Sequence, residues 1–177
     1  MSGCEVTVIP VDGQGVVSLD AIEAALKAGG KAWVSIHHAN NESGVIQPIT
    51  EIAALVRAHD GWLHVDAVQS AGKIPTRMDD LGCDTLTLSA HKLGGPQGVG
   101  CLVAGPRATV HKVLFGSGQE RGLRAGTENG PGLSGFGAAA RQARAELDAG
   151  MDHSAWRDAA AARLKAHGAV VAGDGVA

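Results

Sequence analysis

An α/β fold with a mainly parallel sheet is predicted by three observations. Short β-branched runs alternate with segments of helical periodicity, in the order strand, helix, strand, helix, strand. Turn residues close most of these runs, and polar side chains gather where the apolar runs end. The chain has 177 residues, 45% of them hydrophobic and 26 of them glycine, which is enough for one sizeable core built with tight backbone turns.

The elements follow in chain order. Residues 5–10 (EVTVIP) read as a first strand, closed by the turn Asp12-Gly13-Gln14-Gly15. Ser18 is placed to N-cap a helix over 19–27, where Leu19, Ile22 and Leu26 share a face and Gly29-Gly30 ends the run. Residues 32–36 (AWVSI) form the second predicted strand, followed by an irregular polar stretch over 37–47. A helix over 50–59 is entered after Pro48, and a third strand over 62–65 ends at Asp66. Residues 84–89 and 98–104 supply two further strands. From Pro131 the texture turns to Ala, Arg and Leu, which predicts helices over 132–149 and 154–167 with a solvated, amphipathic character.

Composition excludes several classes. Fifteen Lys plus Arg stand against eighteen Asp plus Glu, a net charge of −3 with the signs mixed, so binding of nucleic acid through phosphate neutralisation is not expected. No apolar run approaches the ~20 residues of a membrane-spanning helix, and the first residues lack a basic start followed by a long apolar stretch. No membrane association and a cytoplasmic location are therefore expected. Cys4, Cys83 and Cys101 are odd in number and far apart, so they read as reduced core residues and not as a disulfide framework or zinc site.

Ligands of open parallel sheets bind beyond the carboxyl ends of the strands, where loops converge. The residues there are Asn40-Asn41-Glu42, Asp66 to Gln69, and Ser89-Ala90-His91-Lys92. A lysine between an apolar strand and the turn Gly94-Gly95-Pro96 can lose solvation, as a Schiff-base amine requires. A carboxylate at the next strand end can pair with a protonated pyridine nitrogen and make pyridoxal phosphate (PLP) a better electron sink. Lys92 and Asp66 are candidates for these roles. On spacing alone, a turn-capping Asp66 and a surface Lys92 are the commoner case.

Four motifs sharpen the reading. The stretches 34–47 (VSIHHANNESGVIQ), 64–69 (HVDAVQ), 89–92 (SAHK) and 118–129 (GQERGLRAGTEN) resemble successive motifs of the cysteine desulfurases, PLP enzymes of the class V aminotransferase fold. The resemblance weakens after about Arg144. It implies a PLP-dependent transferase of fold type I, with residues 1–130 as part of the large PLP-binding domain. Residues 131–177 would be a helical connection and the start of the small C-terminal domain.

By the same resemblance Lys92 matches the lysine of the internal aldimine, Asp66 the partner of the ring nitrogen, and Gln69 the hydrogen-bond partner of the ring phenolic oxygen. Asn41 matches a residue near cofactor and substrate carboxylate, and Ser89 and His91 match phosphate ligands. Thr127 matches a threonine that reaches the phosphate held by the other subunit, which implies a homodimer. The implied reaction converts L-cysteine to L-alanine and leaves a protein persulfide, whose sulfur passes to an acceptor or scaffold protein in iron-sulfur cluster assembly or other sulfur transfer.

None of the three cysteines matches the family's persulfide cysteine, and the Gly-rich phosphate turn, the ring-stacking histidine and the carboxylate-binding arginine of the family have no counterpart among the 177 residues. The chain is thus expected to be an internal portion of a desulfurase, inactive by itself. Related lyases acting on selenocysteine or cysteine sulfinate, and a non-catalytic dimerisation module of the same fold, are the alternatives. A metal site of His37, His38, His64 and Asp66 is disfavoured, because adjacent residues of a strand face opposite ways and no metal-ligand spacing occurs.

Overall fold

The computed structural model describes residues 3–150 and 152–174. Four strands, β1 (Trp33–His37), β2 (Trp62–Asp66), β3 (Thr85–Ser89) and β4 (Gly100–Ala104), form one sheet in sequential order. The first three are parallel and β4 runs antiparallel beside β3. Helices α1 (Leu19–Lys27), α2 (Ile49–Ala58) and the single turn α3 (Met78–Leu81) lie with one face of this sheet, while α4 (Gly130–Asp148) and α5 (Ser154–Ala166) follow it. Among the described residues no helix is long and apolar enough to cross a membrane.

Helix boundaries follow their sequence signals closely. Ser18 caps α1 by accepting the Ala21 N–H at 3.1 Å, and Gly29 and Gly30 beyond its end take φ values of +112° and +87°. The apolar stripe of α1 and α2 explains the core: Ile22, Leu26, Ile49, Ile52 and Val56 bury against Leu63 and Val65 of β2 and Leu86 of β3. Alternate residues of the same strands face the other way. Trp33, Ser35 and His37 of β1 stand in register with Trp62, His64 and Asp66 of β2, on a face that is only partly covered.

Residues 5–10 do not form the predicted strand. Val6 and Val8 are exposed, and the sheet has no ladder to this segment. A β-branched run becomes a strand only when an edge is available to pair with it, so propensity alone misled here. The predicted turn behind it is present, with Asp12 Oδ1 accepting the N–H groups of Gln14 and Val16 at 2.8 and 3.0 Å. Buried Gln47 fastens this turn to the body, accepting from Val17 N–H at 2.9 Å and donating to the Gly15 carbonyl at 2.8 Å.

Two further expectations need correction. Cys83 is buried as predicted, but Cys4 and Cys101 are exposed; Cys101 lies on the edge strand β4, every residue of which is exposed. Helix α4 is not a solvated face throughout. It buries Gly132, Phe136, Ala139 and Ala143, and Gly135 approaches Pro96 so closely that a Cβ on it would meet Pro96 Cγ at 2.6 Å. Small residues let the helix lie directly on the turn that follows β3. Helix α5 buries none of its residues.

The strand register is locked at its entry end by Asp84. This carboxylate is 3% exposed, accepts the Leu63 N–H at 2.8 Å, and pairs with Arg107 Nη1 at 3.3 Å. The Asp84 backbone exchanges bonds with the Leu63 carbonyl and the Gly105 N–H, both at 2.8 Å, and Arg107 also donates to the Gly61 carbonyl at 3.1 Å. Asp84→Ala strands the Leu63 N–H and removes the partner of a half-buried guanidinium. It is expected to cost about 2 kcal/mol, read as a lower urea midpoint at unchanged m, with Asp84→Asn costing less because its amide oxygen still accepts.

Candidate active site

The three parallel strands end side by side, and their last residues make the site. His37, Asp66 and Thr87 stand abreast across β1, β2 and β3, and Ser89 lies one pair further along β3. All four project from the face that α1 and α2 do not cover. Asp66 is exposed, with Oδ1 accepting the Val68 N–H at 2.9 Å, so its carboxylate is held by the start of the following turn. Gln69 sits half-buried in that turn, which is closed by the Ala71 N–H donating to the Ala67 carbonyl at 2.9 Å.

Beyond β3 the chain makes a single 3₁₀ turn, Ala90–Leu93, that carries His91 and Lys92. Ala90 is fully buried and anchors the turn, its N–H donating to Val99 and its carbonyl accepting from Gly95 at 2.9 Å. Gly94 ends the turn at φ +82°. Ser89 Oγ and His91 Nδ1 lie 2.8 Å apart, joining a hydroxyl and an imidazole at the mouth of the strand. Lys92 is exposed, so the desolvation expected from its sequence setting is absent: the glycine turn beside it carries no side chain to cover it.

Asn41 lies on the loop after β1, which the Ala39 and Ile46 bridge pinches into a tight reversal. It is exposed and donates to Glu42 Oε1 at 3.0 Å, while Asn40 Oδ1 accepts the Glu42 and Ser43 N–H groups at 2.8 and 2.9 Å. The structure thus gathers Asp66, Gln69, Ser89, His91 and Lys92 on the loops of two neighbouring strands. Thr127 belongs elsewhere, exposed on the loop that precedes α4.

That loop is strained and braced. Glu120, Arg121 and Gly122 all have positive φ (48°, 56° and 81°), a left-handed turn that costs about 1 kcal/mol or more for each of the two side-chain-bearing residues. Arg124 offsets this by gripping the Gly126 carbonyl at 2.8 Å and Glu120 at 3.6 Å. Gln119 Oε1 accepts from Ser117 Oγ at 2.6 Å and from Gly126 N–H at 3.2 Å, tying the loop ends together. The segment just before Thr127 is therefore fixed by its own side chains.

The two adjacent histidines diverge as the strand geometry requires. His38 is buried, shares a 3.0 Å hydrogen bond between Nδ1 and Ser70 Oγ, and donates its backbone N–H to the Asp66 carbonyl at 2.8 Å. His37 lies on the open face, and its Nε2 is buried without a hydrogen-bond partner. His64 is engaged by Thr85 Oγ1 at 2.9 Å and stacks on Trp33. Sequence reading missed the His38–Ser70 link, since only the fold brings residues 32 positions apart together.

Burial decides the cysteine chemistry. The Cys83 thiol is pushed up to about 11, chiefly by burial, and that of Cys101 is also raised by partial burial. Neither is a ready thiolate at neutral pH.

The pattern of the family described as aminotransferase class-V matches residues 1–173. The cysteine desulfurase IscS of Dictyoglomus turgidum is 44% identical over 146 residues, covering 82% of this chain and 37% of that protein. The mitochondrial cysteine desulfurase of Saccharomyces cerevisiae is 42% identical over 153 residues, covering 85% of this chain and 31% of its own length. Among solved structures, a NifS-like protein from Rickettsia africae superposes with a TM-score of 0.76 at 39% identity, covering 78% of this chain and 39% of that one. SspA, solved in complex with cysteine, gives 0.71 at 36% identity over 78% of this chain and 40% of its own. The chain spans about a third of the length of these curated relatives.

Burial of His38 lowers its pKa below the ordinary 6.5, so the folded chain holds it neutral where the unfolded chain charges it. Stability is expected to be full above pH 6.5, to fall as pH drops below that value, and to level off beneath the lowered pKa. Urea unfolding across pH 5 to 8 checks this, and His38→Gln is expected to flatten that part of the profile.

Proposed function

The chain belongs to the class-V aminotransferase family, and from that premise we propose that it carries the cofactor lysine of a PLP-dependent cysteine desulfurase. The observation that supports this most directly is the grouping of a carboxylate, Asp66, with the bonded Ser89–His91 pair and Lys92 at the carboxyl ends of adjacent parallel strands. A carboxylate for a pyridinium, hydroxyl and imidazole donors for a phosphate, and a primary amine for an aldehyde are the complement of PLP. The buried, unpartnered Nε2 of His37 beside Asp66 adds a polar atom awaiting a partner on the same face. The donor set fits the group.

In this reading Asp66 would hold the ring nitrogen, Gln69 the phenolic oxygen, and Ser89 and His91 the phosphate. When bound, PLP supplies an electron sink for the carbon bearing the substrate amine. Lys92 would hold the cofactor's aldehyde carbon through its Nζ, and the same amine, when free, would take the proton from the carbon bearing the substrate amine. Asn41 orients the substrate carboxylate. The His38 contacts to Asp66 and Ser70 keep the ends of β1 and β2 together beneath these groups.

The thiolate that accepts sulfur is assigned to none of Cys4, Cys83 and Cys101. Cys83 is buried with its thiol pushed up to about 11, the Cys101 thiol is raised as well although the residue is exposed, and Cys4 lies ahead of the Asp12 turn, far in sequence from the strand-end residues. The products are then L-alanine and a persulfide on a cysteine outside these residues, with sulfur passing to an acceptor or scaffold protein. Thr127, on its braced loop, is assigned to the phosphate held by a second subunit of a cytoplasmic homodimer. Residues 1–130 are assigned to the large domain and 131–177 to the helical connection and the start of the small C-terminal domain; the seating of α4 on the Lys92 turn supports its role as that connection.

Borohydride reduction of the chain mixed with PLP is expected to leave the cofactor on Lys92, located by peptide mass spectrometry. Lys92→Ala is expected to abolish the adduct and the visible absorbance; an unchanged spectrum in that variant counts against the reading. With L-cysteine added, the 177 residues are expected to release no alanine. Release would show that one of the three cysteines, or none, suffices.

A further inference from the structure

The turn between β2 and α3 carries a lysine that no sequence motif marked. Gly72, at φ +73°, lies so close to the Lys92 turn that a Cβ there would meet Leu93 Cδ2 at 2.6 Å and Ala143 Cβ at 2.9 Å. This places the next residue, Lys73, within reach, and its Nζ donates to the Lys92 carbonyl at 3.3 Å. A single-turn helix leaves its last carbonyls without partners inside the helix, so an ammonium at that point supplies what the turn itself lacks.

We propose that Lys73 is a positioning residue for Lys92: its ammonium fastens the Lys92 carbonyl and so holds the 3₁₀ turn in the orientation that presents the Lys92 amine to the strand ends. The inference rests on the reading of Lys92 as the cofactor lysine. Three contacts converge on this turn from different elements. Ala90 is bonded to Val99 and Gly95 from within, the small residues of α4 cover it from one side, and Gly72–Lys73 closes it from the other. Of these, only the Lys73 contact is made by a side chain to the backbone of Lys92 itself. Burial, and then the nearby charge of Lys92, make the Lys73 amine easier to deprotonate than a free lysine, which agrees with two amines held close together.

Amide hydrogen exchange on the purified chain tests this without cofactor. Lys73→Gln is expected to speed exchange at Gly94 and Gly95 about fivefold, the loss of one solvent-exposed hydrogen bond, while α1 and β2 stay at wild-type rates. Lys73→Arg, which keeps a cationic donor, is expected to restore the wild-type rates. With PLP added, the absorbance and the borohydride adduct at Lys92 are expected to weaken in Lys73→Gln and to return in Lys73→Arg. Unchanged exchange at Gly94 and Gly95 in Lys73→Gln, or a gain that Lys73→Arg does not reverse, overturns the inference. A wild-type chain that captures no PLP at Lys92 while exchange responds as expected overturns the cofactor reading and leaves the hold of Lys73 on the turn supported.

Discussion

The Asp84 carboxylate is the interaction on which the geometry of the site depends, although it lies at the opposite end of the strands. By accepting the Leu63 N–H while its own backbone bonds the Leu63 carbonyl, it sets which residue of β3 stands beside which residue of β2. In a sheet, a slip of one residue turns every side chain to the other face. With Leu63 beside Asp84, Val65 falls beside Leu86 in the core and Asp66 beside Thr87 on the open face. A slip would send Asp66 toward α2 and dissolve the grouping with Ser89. Arg107 extends the same lock to the end of β4, so one buried carboxylate aligns three strands.

A second constraint is close approach around the turn that carries Lys92. Gly72, Gly95 and Gly135, with Ala90, Ala139 and Ala143, bring three pieces of chain nearer than side chains would allow. A turn packed this way holds its backbone close without bulk and leaves the Lys92 side chain exposed. This accounts for some of the 26 glycines of the chain.

Fold and site were legible to different depths. Helices α1 and α2 were readable because their apolar stripe, caps and stop residues are local. Asp66 and Lys92 were readable as polar residues at strand exits, and the four motifs carried the resemblance to one family, which the class-V aminotransferase match bears out. The strand over 5–10 was misread because pairing depends on a partner that the run itself does not contain. The solvated reading of α4 failed for a related reason: a stripe of Gly and Ala has little hydrophobicity of its own, and its burial is evident only when Pro96 and Gly72 lie against it. Lys92 retained its solvent exposure because the residues around it are glycines.

The sequence by itself determined the α/β alternation, the helix ends, the residues at the strand exits and the family they resemble, since each is carried by neighbours within a few positions or by motifs of fixed spacing. Only the tertiary structure decided the sheet order, the Asp84 lock, the bond between His38 and Ser70, the exposure of Cys4 and Cys101, and the contact between Lys73 and Lys92. These join residues about 20 to 50 positions apart, or turn on what covers a side chain. Such contacts are selected by packing of the whole chain, and no local pattern encodes them.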